Sequence, residues 1–153
     1  MPMVYEYKKQ RLEKDIYPKN YLRQVYWLDK VINSELKELE VLKSMKETVQ
    51  GLSYGERIGS NGNRNIEAPF VKTIEKIMLL EDRIDQEVDR LVDMKDTIEE
   101  QLRQMPDMRE RLVLKHRYID NMDWEEIAKE LCVSYRTVHR IHSDALIHFP
   151  MEK

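Results

Sequence analysis

The chain has 153 residues, 41% hydrophobic, 36% charged and only 8% aromatic, a balance that favours elongated helices over a compact globule. Its formal net charge is −3, so bulk charge does not mark a polycation, and any nucleic-acid contact must come from a local basic face. One cysteine excludes an internal disulfide, and no apolar run approaches the roughly 20 residues of a membrane span.

The first residues, MPMVYEYKKQRLEKDIYPK, lack the apolar core of a secretion signal. With the lone cysteine, this reads as a cytoplasmic protein outside the membrane. Pro2, Pro18, Pro69, Pro106 and Pro150 fall outside the apolar-periodic runs and punctuate the chain. Residues 1–18 read as a flexible, solvated tail. Its Lys8, Lys9, Arg11 and Lys14 are suited to phosphate, but a solvated terminus is the simpler reading.

From Lys19 to Gln50 the spacing predicts a long helix. Leu22, Val25, Leu28, Ile32, Leu36, Leu39, Leu42, Met45 and Val49 recur every three or four residues, with Lys, Glu and Asp between them. Residues 51–68 hold all four glycines and break the pattern as a connecting loop. The lack of a GxxxxGK[ST] or GxGxxG pattern counts against a phosphate-cradling loop, and a DNA-contacting wing through Arg57 and Arg64 is the other competing role.

A second long helix runs from Pro69 to Met105. Phe70, Ile77, Ile84, Leu91, Ile98 and Met105 stand seven apart, with Ile74, Val88 and Leu102 in the intervening seam. A sustained seven-residue repeat calls for lengthwise packing on another helix. The predicted fold class is all-α. Residues 19–105 form a long antiparallel hairpin resembling a coiled coil, and residues 106–149 form a small helix-turn-helix domain. The apolar stripe is wider than a two-stranded seam, so two hairpins are expected to associate as a homodimer. A monomer with the C-terminal domain docked on the hairpin is the alternative.

In the last domain, Asp107 caps a helix to about Tyr118 with Leu112 and Leu114 on its apolar side, and Asp120-Asn121-Met122 turns the chain. Asp123, with Glu126 three residues on, makes a capping box for the next helix. Ser134 caps the one after it, ahead of Thr137. Ile127, Ala128 and Leu131 share a core face with Val138, Ile141 and Ala145, and Val133 plugs the turn. Left facing outward on the last helix are Tyr135, Arg136, His139, Arg140, His142 and Ser143.

On these residues the segment from Met105 to Phe149 resembles the promoter −35-reading region of bacterial sigma factors. The MPDMRER entry, the LKHRYIDNMDWEEIAKEL run, the VSYRTVHRIH helix and the trailing DALIHF carry the resemblance. The layout is also similar to small Gram-positive prophage and mobile-element regulators of the ArpU/RinA type. Cys132 departs from that pattern, standing where the motif most often has glycine. The resemblance implies a sequence-specific transcription regulator with residues 134–146 in the major groove of double-stranded DNA.

Arg136 and Arg140 are four apart and suit guanine edges, with Tyr135 and His139 beside them for thymine methyls or phosphate. Ser134, Thr137 and Ser143 complete that ridge, and Arg109, Arg111 and Lys115, with His116 and Arg117, suit the phosphate backbone. Asp123, Glu125, Glu126 and Glu130 form an acidic patch that fits a protein partner such as RNA polymerase. A sigma-like factor or polymerase-associated activator is therefore one alternative, and a packaging adaptor like a small terminase subunit is another. No catalytic constellation is visible, so no enzyme and no cofactor are expected. His139 and His142, three apart, lack the second ligand pair a zinc site needs.

Overall fold

The computed structural model describes residues 2–55 and 64–151, with side chains over 16–51 and 69–151. Every regular element among them is helical: α1 (Pro2–Gly55), α2 (Arg64–Arg103), α3 (Met108–Leu114), α4 (Trp124–Glu130) and α5 (Tyr135–His148). A π-helical turn, Lys115–Ile119, prolongs α3. The first two helices pack against each other, as the seven-residue repeat requires.

The expected tail over 1–18 is instead the first part of α1, which carries Pro18 within it. Residues 3–17 contain no glycine or proline and are rich in Lys, Glu, Arg and Leu, good helix formers. The expected loop over 51–68 is shorter at both ends, because α1 continues to Gly55 and α2 begins at Arg64. Its centre, residues 56–63, lies outside the described residues, as do the side chains of Lys8, Lys9, Arg11, Lys14, Arg57 and Arg64.

The chain forms two compact units, one of Met1–Leu28 with Leu91–Lys153 and one of Asp29–Arg90. In the second, Leu39 of α1 packs with Ile77, Leu80 and Ile84 of α2, and Leu42 joins them. Lys43 Nζ lies 2.7 Å from Glu81 Oε1, and Arg83 reaches Glu35 Oε1 at 3.4 Å. The Lys43–Glu81 pair is solvated and fixes register more than stability, being worth roughly 0–1 kcal/mol, whereas the Glu35 carboxylate is largely covered. Leu36, Met45 and Val88, expected in the apolar stripe, are exposed. One helix covers only a narrow strip of another, so a wider stripe leaves its flanks uncovered.

The other unit has a core drawn from five segments. Leu22 and Val25 of α1 and Ile98 and Leu102 of α2 meet Met105, Leu114, Tyr118, Ile119, Ala145, Leu146 and Phe149. The core therefore crosses the boundary expected at residue 106. Two polar ties accompany it. Tyr21 Oη donates to Gln101 Oε1 at 3.1 Å, and Gln101 Nε2 donates to the Pro150 carbonyl at 3.3 Å. The buried Glu110 carboxylate meets His148 Nδ1 at 2.9 Å, joining α3 to the end of α5.

Alongside, Val113, Ile127, Ala128, Val138 and Ile141 make a smaller cluster with Met122, Trp124, Leu131 and Val133. On α3 the buried side is Val113 and Leu114, while Leu112 is exposed. Sequence reading placed Leu112 inward, because a helix of seven residues gives too few repeats to fix which face is apolar.

Candidate nucleic-acid interface

Three caps and one turn position the α5 ridge. Asp107 Oδ1 accepts from the backbone N–H groups of Arg109 (2.8 Å) and Glu110 (3.2 Å). Those bonds hold its carboxyl below the usual carboxylate range, the Glu110 bond most, and the Arg109 charge adds to them. Asp123 and Glu126 close a reciprocal box: Glu126 N–H donates to Asp123 Oδ1 at 2.8 Å, and Asp123 N–H donates to Glu126 Oε2 at 2.9 Å. Ser134 Oγ accepts from Thr137 N–H at 3.2 Å and lies 2.8 Å from Thr137 Oγ1.

The turn between α4 and α5 is set by Cys132 at φ 53°, in the left-handed region. Its N–H donates to Lys129 O at 3.1 Å, and Val133 N–H donates to Ala128 O at 3.0 Å. These are the paired bonds of a Schellman motif, and Val133 packs against the cluster that includes Ala128. The turn that glycine usually fills is thus formed with a cysteine, at a backbone cost of about 1–2 kcal/mol. Asn121, at φ 56°, makes the earlier reversal, where a short amide side chain tolerates that region.

On α5, Val138, Ile141, Ala145 and Leu146 face inward, and Tyr135, Arg136 and Arg140 are exposed. Thr137, His139 and Ser143 are half-buried. His142, expected on the outward ridge, is only 6% exposed. It lies at the edge of the apolar arc, where Trp124 stacks on it edge-on at 4.8 Å and the Tyr118 hydroxyl meets its Nε2 at 3.0 Å. Burial above all, then the positive charge of Lys19, His139 and Arg117, pushes its pKa down to about 4.

His139 sits with its ring 4.5 Å from Trp124 and 4.6 Å from Tyr135, and its Nε2 is buried without a hydrogen-bond partner. That atom is turned away from solvent, and the half-buried imidazole lies between the two larger rings.

The entry-helix cations divide. Arg109 is exposed, Arg111 half-buried, and Lys115 pairs with Glu99 at 3.5 Å. His116 Nδ1 is held 2.9 Å from Asp120, and Arg117 donates to the Met122 carbonyl at 2.9 Å with its guanidinium 4.6 Å above Trp124. His116 and Arg117 are thus engaged within the protein. Asp123, Glu125, Glu126 and Glu130 are exposed, as expected of caps and a solvent-facing side.

Sequence reading missed a cleft of about 510 Å³ lined by Lys19, Arg23, Tyr26 and Trp27 of α1 and by Arg117, Tyr118, Asn121 and Trp124. A signal was present, because positions 19, 23, 26 and 27 share one helical stripe beside the apolar one. Among the described residues no three His, Cys, Asp or Glu side chains gather to hold a metal, and no helix is long and apolar enough to cross a membrane.

The chain belongs to the family DUF722, described as a protein of unknown function, whose model matches residues 38–148. No curated protein and no solved structure matches it.

Proposed function

We propose that this DUF722 protein is a sequence-specific transcription regulator that sets α5 in the major groove of double-stranded DNA. The observation that carries the reading is the pair Arg136 and Arg140. They lie one turn apart, exposed, on a helix whose opposite side is packed and whose entry is fixed by the Ser134 cap. A rigid helix with two outward guanidiniums matches how guanine O6 and N7 are read. The resemblance of residues 105–149 to a sigma-factor −35-reading region, and of the layout to prophage and mobile-element regulators, supports the same reading.

Tyr135 adds a ring next to the arginines, while Ser134, Thr137 and Ser143 border them. Arg109 and Arg111 extend the positive surface towards the phosphate backbone, whereas Lys115 reaches it only by leaving Glu99. A homodimer, giving two reading helices, is supported by apolar side chains left exposed on Asp29–Arg90, among them Val31, Val41, Val71, Met78 and Leu79. A second reading, contact with RNA polymerase as a sigma-like factor or activator, is favoured by the exposed carboxylates of α4.

The test is selection of bound duplexes from a random pool, followed by gel-shift titration of Arg136→Ala with Arg140→Ala. A bidentate arginine–guanine pair supplies about 1–3 kcal/mol of discrimination. Without both pairs the double variant no longer binds its site specifically, while its helicity is unchanged. Selection of no common sequence, or unchanged affinity in the variant, rejects the assignment.

A further inference from the structure

The cleft between α1 and the turn after α3 lies within one compact unit and is separate from the outward arginines of α5. Its walls combine three cations, Lys19, Arg23 and Arg117, with the rings of Tyr26, Trp27 and Trp124, and among the described residues no carboxylate lines it. Lys19 and Arg23 stand one helical turn apart, so both ammonium and guanidinium project from one side of α1. Arg117 approaches from the facing wall, spread over Trp124 at 4.6 Å and anchored by the Met122 carbonyl.

Three like charges around one concavity repel one another unless an anion sits among them. Their field reaches through the wall: after burial itself, Lys19 is the largest influence keeping the His142 imidazole uncharged. The rings supply the other half of the chemistry. Trp27 is 57% exposed and offers the open ring, whereas Trp124 is already packed by Arg117, His139 and His142 and forms the back of the cleft. A flat heterocycle stacks favourably on such an open ring, whatever the base, because every base has a π-face. Forked guanidiniums bind phosphate oxygens two at a time. The volume lies within the range of about 300–1,000 Å³ usual for sites that enclose a small molecule.

We infer that this cleft is a nucleotide site, taking a nucleobase against Trp27 and its phosphate between Lys19, Arg23 and Arg117. The nucleotide arrives either free or as a unit of a single strand, since both offer the same base and phosphate. This inference does not depend on how α5 reads a duplex.

The protein contains two tryptophans, Trp27 and Trp124, and both line the cleft. Intrinsic tryptophan emission of the full chain is therefore a reporter of this one place. The experiment titrates the protein with adenosine and guanosine monophosphates, a short single-stranded oligonucleotide, adenosine, inorganic phosphate and a duplex.

The expected result is saturable quenching by the mononucleotides, by the oligonucleotide, or by both, at millimolar concentration or below. Adenosine and phosphate alone are weaker by roughly tenfold or more, since each offers only the base or only the anion. Quenching by mononucleotides identifies the free source, and quenching by the oligonucleotide alone identifies the strand. Arg23→Glu and Lys19→Glu change exposed positions, so they keep the native circular dichroism and weaken the quenching by a similar factor. The inference is overturned if neither mononucleotide nor single strand quenches, if only the duplex does, or if both charge reversals bind as well as the parent protein.

Discussion

The Tyr118 hydroxyl lies 3.0 Å from His142 Nε2, inside the unit that carries α5. Burial pushes Tyr118 up to about 12 and His142 down to about 4. Between those limits the phenol keeps its proton and donates it to a neutral imidazole, whose own proton is then on Nδ1.

The pair sets a pH window for stability. In the unfolded chain His142 titrates near 6.5, while the folded protein refuses the proton down to about 4. The unfolded state thus binds more protons across that interval, and stability falls as pH drops from about 6.5 towards 4. The loss is on the order of 3 kcal/mol. At the alkaline end Tyr118 ionises first in the unfolded chain, so stability falls again as pH rises from 10 towards 12. Urea midpoints against pH read the effect, and ring-proton NMR assigns it. A His142 titration centred near 6.5 in the folded protein contradicts this account.

Cys132→Gly relieves the left-handed strain at φ 53° and leaves the Schellman bonds in place. The stabilisation is expected to be about 0.5–1 kcal/mol after glycine's extra unfolded-state freedom is deducted. Asp123→Ala works in the opposite direction by opening the capping box, at about 1 kcal/mol. Thermal melts decide both, and a destabilised Cys132→Gly protein means that the thiol contributes more than its weak interaction with the Lys129 carbonyl.

If α5 enters a major groove with phosphate contacts beside it, affinity falls steeply with salt. Log K then declines against log salt by about 0.9 for each phosphate neutralised. Arg109→Ala removes one exposed cation, so its slope is shallower by about one unit, across specific and random duplexes alike. An unchanged slope means that Arg109 does not touch phosphate.

Self-association is expected to use the side chains that the single chain leaves open. Met78 and Leu79 are 63% and 68% exposed, whereas Leu91 is partly buried against the core beside α5. Met78→Glu with Leu79→Glu converts a dimer to folded monomer in size-exclusion light scattering, and Leu91→Asp lowers the melting temperature instead. A ring-sized mass for the parent protein points to a packaging adaptor, and an unaltered mass for the double variant moves the interface elsewhere.

Much of the architecture could be read from residue order alone, because it rests on local rules. The seven-residue row from Ile77 to Met105, the Asp123–Glu126 box and the Ser134 cap are short-range signals that distant packing reinforced. His142 was misplaced because a stacked ring and one hydrogen bond decide its burial, and both partners are remote in sequence. The cleft was missed for the same reason. Lys19 and Arg117 are nearly a hundred positions apart, and only the Leu22, Val25, Leu114 and Tyr118 core brings their helices together.

That shared core has an evolutionary corollary. Leu22, Val25, Ile98 and Leu102 serve as the floor on which Ala145, Leu146 and Phe149 rest, so the segment that bears Arg136 and Arg140 is not a portable cassette. Recombination that grafts residues 106–149 onto an unrelated leader strips away the whole of that floor. Descendants that vary the outward ridge are therefore expected to arise by point changes at its exposed residues, with the long helices inherited intact.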